Sequence, residues 1–175
     1  MKKAIFFLLM LTSITTFSQE SEISLDPLFK IEAGLHGIGV AYELPLAEKF
    51  TVDLSTGFGA QNNNAGYELS TTKPISFFAK STFKYFYNRK KRLDKKKRLA
   101  NNAGSYLAFQ TKFNNNATGF PSALLNEFHW GKQAALGERF LVEYHFGIGY
   151  YKGLGGSNTQ TLYPAIGLKF SYVIF

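Results

Sequence analysis

"FLVEYHFGIGY", residues 140–150, sets Phe140, Val142, Tyr144, Phe146, Ile148 and Tyr150 at every second position, with Glu143, His145, Gly147 and Gly149 in the other phase. Successive side chains on a strand point to opposite faces. The stretch therefore predicts a strand with one unbroken aromatic–aliphatic face and one polar or small face. What lies against each face decides what kind of protein this is.

The same alternation recurs along the chain. Upstream, Phe29, Ile31, Ala33 and Leu35 form one set, Ile38, Val40, Tyr42 and Leu44 a second, and Phe50, Val52, Leu54 and Phe58 a third. Ile75, Phe77, Phe83, Tyr85 and Tyr87, then Leu107, Phe109 and Phe113, then Leu124, Phe128 and Trp130 continue it. The last set is "GLKFSYVIF" (167–175), with Leu168, Phe170, Tyr172 and Ile174 in phase. Between the first two sets the phase slips at His36–Gly37, which is either a tight turn or a bulge. A turn gives eight strands and a bulge seven. Single-chain bacterial barrels have even strand numbers, so eight is expected.

A soluble barrel or sandwich alternates as well, with its polar face outward. Its strands seldom need Phe and Tyr on one face of nearly every strand. Here 17% of residues are aromatic, and no mature apolar run is long enough for a spanning helix. Together these predict an all-β, antiparallel, up-and-down transmembrane β-barrel. "LAEK" and "LGE" read as short turns at one end. The Asn- and Gly-rich stretches "AQNNNAGYELSTTK", "NNNATGFPS" and "KGLGGSNTQ" read as long loops at the other.

"MKKAIFFLLMLTSITTFSQ" (1–19) has two lysines, a short apolar core and a small-residue exit, the order of a cleavable secretory signal. Cleavage falls after Gln19 or Ser18, leaving residues 20–175 as the barrel domain. The chain has no cysteine, which excludes disulfides, an acylated-cysteine anchor and a zinc–thiolate site. Its net charge of +8 belongs to one place. "RKKRLDKKKR" holds Arg89, Lys90, Lys91, Arg92, Lys95, Lys96, Lys97 and Arg98, with Asp94 its one acid. Outside this run and the signal, ten Lys and Arg face eleven Asp and Glu. Parity puts the segment 88–102 at the end that carries both termini, the periplasmic side of an outer-membrane barrel. An exported protein meets little nucleic acid, so anionic headgroup phosphates are the expected contact. The segment is expected to be dispensable for the barrel, since it has no apolar face to bury.

The pattern resembles the small outer-membrane β-barrels of Gram-negative bacteria, the OmpX- and OmpA-like group. The resemblance rests on the strand pattern over residues 28–175, on "YELPLAEKFTVDLSTGFG" (42–59) and on the terminal Phe175. It implies residence in the outer membrane, contact with its lipids and lipopolysaccharide, and Phe175 as the signal read by the barrel-assembly machinery. Phe175 is one position out of phase with Ile174, so an irregularity is needed to bring it to the apolar face.

The polar phase supplies the candidate site. Glu43, Asp53, Glu127 and Glu143, with Lys80, Lys84, Lys112, Arg139 and Lys169 and the imidazoles of His129 and His145, are expected to point inward. An eight-stranded barrel is just wide enough for side chains to fill, and buried charges persist only when paired. The expectation is a charge network that plugs the lumen of a monomer with a structural or interaction role, no cofactor, no metal and no catalysis. Two alternatives stand beside it. One is a narrow, porin-like pore. The other is a lipid A-modifying enzyme using His129 with Glu127 or His145 with Glu143, since some small outer-membrane barrels are lipid A deacylases or acyltransferases, although neither His here is followed by the deacylases' His-x-Ser-Asn pattern.

Overall fold

The structure is a computed structural model that describes residues 24–35, 37–60, 75–117, 121–155 and 160–175. The expected export signal, His36 and most of the long loops lie outside the described residues.

The strands follow the alternating runs. They are β1 (Leu28–Gly34), β2 (Gly37–Ala47), β3 (Phe50–Ala60), β4 (Ile75–Phe86), β5 (Gly104–Asn114), β6 (Ala123–Leu136), β7 (Phe140–Gly153) and β8 (Gln160–Val173). Each pairs antiparallel with the next, and β1 also pairs with β8, so the sheet closes into an eight-stranded barrel. Gly34 lies opposite Gly37 across β1 and β2, so the phase slip marks a tight connection between two strands. β1 is the shortest strand, with 7 residues.

Two local readings are corrected. "LAEK" is turn only in its second half, because β2 passes through Pro45. The strand runs on to Ala47, and the register shifts between Pro45 and Ala47. A bulge there accommodates a residue with no N–H to give the ladder, and the turn shortens to Glu48 and Lys49. At the other short turn Gly137 has φ 81°, a left-handed backbone that glycine adopts without strain. That turn extends through Arg139.

The chain ends with the required irregularity. Val173 faces inward, whereas Ile174 and Phe175 are both exposed, Phe175 at 71%. The alternation therefore stops at Val173. Phe29 N–H donates to the Phe175 carbonyl at 2.8 Å, and the two rings stack with centroids 5.5 Å apart. The last residue thus closes the β1–β8 seam on the outer face.

Inward positions are mostly polar or small and outward ones mostly apolar, with Thr56, Ser81, Thr111 and Asn126 as polar exceptions in the outward phase. Phe58, Phe109, Phe128, Phe146 and Ile148 are all more than half exposed, while Lys30, Glu43, Asp53 and Lys84 are fully buried. Apolar groups also sit inside at the two ends. Leu125, Tyr151 and Tyr163 cluster towards the long loops. Leu25, Phe86 and Tyr106, and separately Leu28, Leu141 and Val173, cluster towards the termini. Glycines admit the larger rings: Tyr106 lies over Gly131 and Tyr163 over Gly149, where a Cβ would overlap the phenol.

The basic segment is partly built into the barrel end, which corrects the expectation that it is a dispensable appendage. It contains a one-turn-and-a-half helix, α1 (Arg89–Asp94), and a short 3₁₀ turn at Ala100–Asn102. Asn101 and Asn102 adopt φ of 53° and 56°, a region that Asn tolerates better than most residues. The bend drops Asn102 into the barrel mouth, fully buried. There its amide nitrogen donates to the Asp26 carbonyl at 2.8 Å and to Glu43 Oε1 at 2.9 Å, while its oxygen accepts from Asp26 N–H at 2.8 Å. Polar side chains, not an apolar face, hold this cap. Asn102→Ala strands both Asp26 backbone groups and one Glu43 oxygen. It should cost about 1–3 kcal/mol, read as a lower urea midpoint of the refolded protein by fluorescence of Trp130, the one tryptophan.

Candidate functional site: the charged lumen

Because every strand contributes its polar phase to one narrow interior, side chains remote in sequence meet there. Lys30 Nζ lies 2.7 Å from both Glu43 Oε2 and Asp53 Oδ2, with all three side chains fully buried. Lys84 Nζ reaches Glu143 Oε2 at 3.1 Å, Gln133 Oε1 at 3.0 Å, and Glu43 and Asp53 at 3.4 Å each. Lys169 bonds Glu32 at 2.9 Å and approaches Glu143 at 3.6 Å and Asp53 at 3.7 Å. Lys80 closes the far side on Glu32 at 3.2 Å. Four ammonium groups thus interleave with four carboxylates. Tyr106 donates its hydroxyl to Glu143 Oε1 at 2.7 Å, and its ring lies 5.1 Å from Lys84 Nζ.

A second cluster lies further towards the loops. Glu127 accepts from Tyr163 Oη at 2.7 Å and from Gln110 Nε2 at 2.8 Å. His129 Nδ1 and His145 Nε2 stand 3.7 and 3.6 Å from Glu127 Oε2. These donor atoms lie within 4.8 Å of one another, the spacing of a possible three-ligand metal set. The rings, however, stack with centroids 4.0 Å apart and planes 20° apart. Imidazole lone pairs lie in the ring plane, so near-parallel rings do not aim at a common ion. As arranged, the cluster is a stacked imidazole pair beside one carboxylate that Tyr163 and Gln110 hydrogen-bond.

Most residues chosen from sequence turn inward, but three behave differently. Arg139 was expected in the lumen and is instead exposed in the β6–β7 turn, 3.4 Å from Tyr172 Oη. It has the inward parity, yet it lies beyond the strand, where there is no lumen to enter. Lys112 points in but rests its ammonium over the Phe78 ring at 4.6 Å. Arg89 was grouped with the headgroup-contacting bases. It is only 2% exposed and donates from Nη2 to the Ser24 carbonyl at 2.7 Å. Its stem folds under α1 and anchors the N-terminal strap. The other seven bases of the run remain on the outside of the cap, Arg92 half-buried and the rest exposed.

Lys30, Glu32, Gln133, Tyr106 and Asn102 were not among the site residues read from sequence. Lys30 and Glu32 carried a signal, since they fill the polar phase of β1 two residues apart. Tyr106 carried none, because an aromatic in the inward phase looks like an error in phase until Gly131 opposite provides the space.

Comparison with family models, with curated proteins and with solved structures finds no match to this chain. Its fold therefore describes it: a closed, all-β, eight-stranded antiparallel barrel whose interior holds buried ion pairs. Removing one partner of a buried pair leaves the other charge stranded, at about 3–5 kcal/mol. Lys30→Met should lower unfolding stability on that scale, because Glu43 and Asp53 both lose their nearest cation. Arg139→Gln, at an exposed turn, should stay within about 0.5 kcal/mol. Urea titration of both variants refolded in micelles makes the comparison, and equal midpoints would mean that the lumen is solvated.

Proposed function

We propose that this chain is an exported outer-membrane β-barrel of Gram-negative type, a monomer with a structural or interaction role at the cell envelope. One observation carries the reading: the barrel is inverted relative to a water-soluble one. Its charges are buried and its large apolar side chains are exposed around the circumference, as with Phe146 at 58% and Ile148 at 67%. Soluble monomers rarely expose contiguous apolar patches of more than a few hundred Å², whereas hydrocarbon favours such a wall. That no helix among the described residues is long and apolar enough to cross a membrane leaves this reading untouched, since strands do the crossing.

The interior favours a structural role over a pore. The ion-pair core and the apolar clusters at both ends fill the lumen. It also favours a structural role over lipid modification. His129 and His145 are 2% and 9% exposed and point inward, whereas a base acting on a lipid ester belongs on the outer face. The exposed Phe175 at the seam suits recognition by the barrel-assembly machinery during insertion.

The first test is the class itself. The protein should fractionate with the outer membrane and migrate faster on gels when unheated than when boiled. Phe146→Arg should then cost about 2–4 kcal/mol in bilayers, and an undiminished folded yield of that variant in lipid would sink the assignment of the outer face. Orientation is tested with trypsin. Arg89–Arg98 should be protected in intact cells and cut once the outer membrane is opened, and prompt cutting in intact cells would reverse the topology.

A further inference from the structure

The outer wall of the barrel carries a cavity of about 420 Å³ beneath the overhang of α1. Its floor is the outward face at the strand ends. Tyr87 lies just past β4, while Ser105 on β5 and Lys132 on β6 face each other in register. Ser105 shares the outward phase of Leu107 and Phe109, yet it is 7% exposed where they are 39% and 52%. The difference is the roof: Lys91 and Arg92 from α1, then Lys95 and Lys97 from the turn that follows. Five cationic side chains thus surround one concavity, and none of its lining residues is acidic. Arg92 Nη2 donates to the Arg98 carbonyl at 2.7 Å, whereas its Nε is buried with no hydrogen-bond partner.

Five like charges around so small a space repel one another, and an anion seated among them relieves that. The position says which anion. Trp130 Nε1 donates to Tyr87 Oη at 2.6 Å, forming an aromatic pair beside the cavity where the apolar wall ends. Such pairs mark the height of headgroups on membrane barrels. Below the cavity the wall continues through Leu107 and Phe109. One molecule matches both halves, with a phosphate above and hydrocarbon below. We propose that the cavity is a binding site for the headgroup phosphate of an anionic phospholipid, with Lys132 and Arg92 as its inner pair. Arg92 offers the planar fork suited to phosphate oxygens, and Lys132 supplies a point charge from the barrel wall. The acyl chains lie along Leu107 and Phe109. This inference rests on the membrane reading and gives it a lipid partner, placed by Lys132, which lies outside the basic run.

The test uses the full chain folded in micelles and exposed to an equimolar mixture of phosphatidylglycerol and phosphatidylcholine, with retained lipid counted by native mass spectrometry. One phosphatidylglycerol should be kept in preference. The double variant Arg92→Gln/Lys132→Gln should lower that preference by about tenfold or more. Lys90→Gln/Lys96→Gln removes as much charge from the same segment but none from the cavity, and should leave the preference intact. Equal loss in both pairs would overturn the site in favour of diffuse attraction, and equal retention of the two lipids by the unaltered protein would overturn it outright. Displacement by equimolar inorganic phosphate would reassign the site to free phosphate. Stronger retention of lipopolysaccharide would overturn the phospholipid assignment. Heat-modifiable migration is measured on every variant. Its absence in the unaltered protein would indict the membrane reading, whereas its presence without lipid preference would indict only the site. If the Arg92/Lys132 pair fails to fold, Lys95→Gln/Lys97→Gln, on the exposed turn, carries the same expectation.

Discussion

Lys30 has no solvent and two carboxylates within 2.7 Å, and the barrel is organised around that constraint. A charge enclosed by a sheet wall must be matched by other side chains, and no single strand can supply the match. The bonded set recruits Lys30 and Glu32 from β1, Glu43 from β2, Asp53 from β3, Lys80 and Lys84 from β4 and Tyr106 from β5. Gln133 from β6, Glu143 from β7 and Lys169 from β8 complete it. Every strand is therefore tied to the same centre. Interiors of low dielectric strengthen such networks when complete and penalise them when broken.

The network also bears on register. A slip of one residue along any strand moves its charges to the outer face and its Phe and Leu side chains inside. Both errors are costly in a barrel whose exterior is apolar and whose interior is polar. The pairing of Asp53 with three lysines and the largely apolar outer wall therefore select the same register from opposite faces of the sheet. The glycines opposite Tyr106 and Tyr163 add a steric condition, since the two phenols fit only where a Cβ is missing.

The segment between β4 and β5 combines two roles that its composition hides. Arg89, Asn101 and Asn102 spend their polar groups on backbone carbonyls and on Glu43, and so belong to the barrel end. The remaining cations are held outward, over the wall that ends in Trp130 and Tyr87. Anchoring by a few residues is what allows a densely charged turn to keep a defined place at the rim. In the membrane reading, that place is the headgroup layer.

The alternation of apolar and polar residues by itself determined the strand content, the closed barrel expected from an even count, and which face of nearly every strand is apolar. The side-chain period of a strand is two whatever the strand packs against, so these features were legible residue by residue. The inward parity of Glu43, Asp53, Lys84, Glu143 and Lys169 followed in the same way. Tertiary structure alone decided who meets whom. Lys84 and Glu143 are 59 residues apart and touch only because the wall closes on itself. The start of β7 at Phe140 left Arg139 past the rim, where parity has no lumen to act on, and the pairing of β5 with β6 made room for Tyr106 over Gly131. Tertiary structure also drew Arg89 out of the basic run and into the cap, and brought Lys132 under α1. Parity is a property of one strand, whereas contact is a property of the closed surface, and a local pattern carries no information about the far wall.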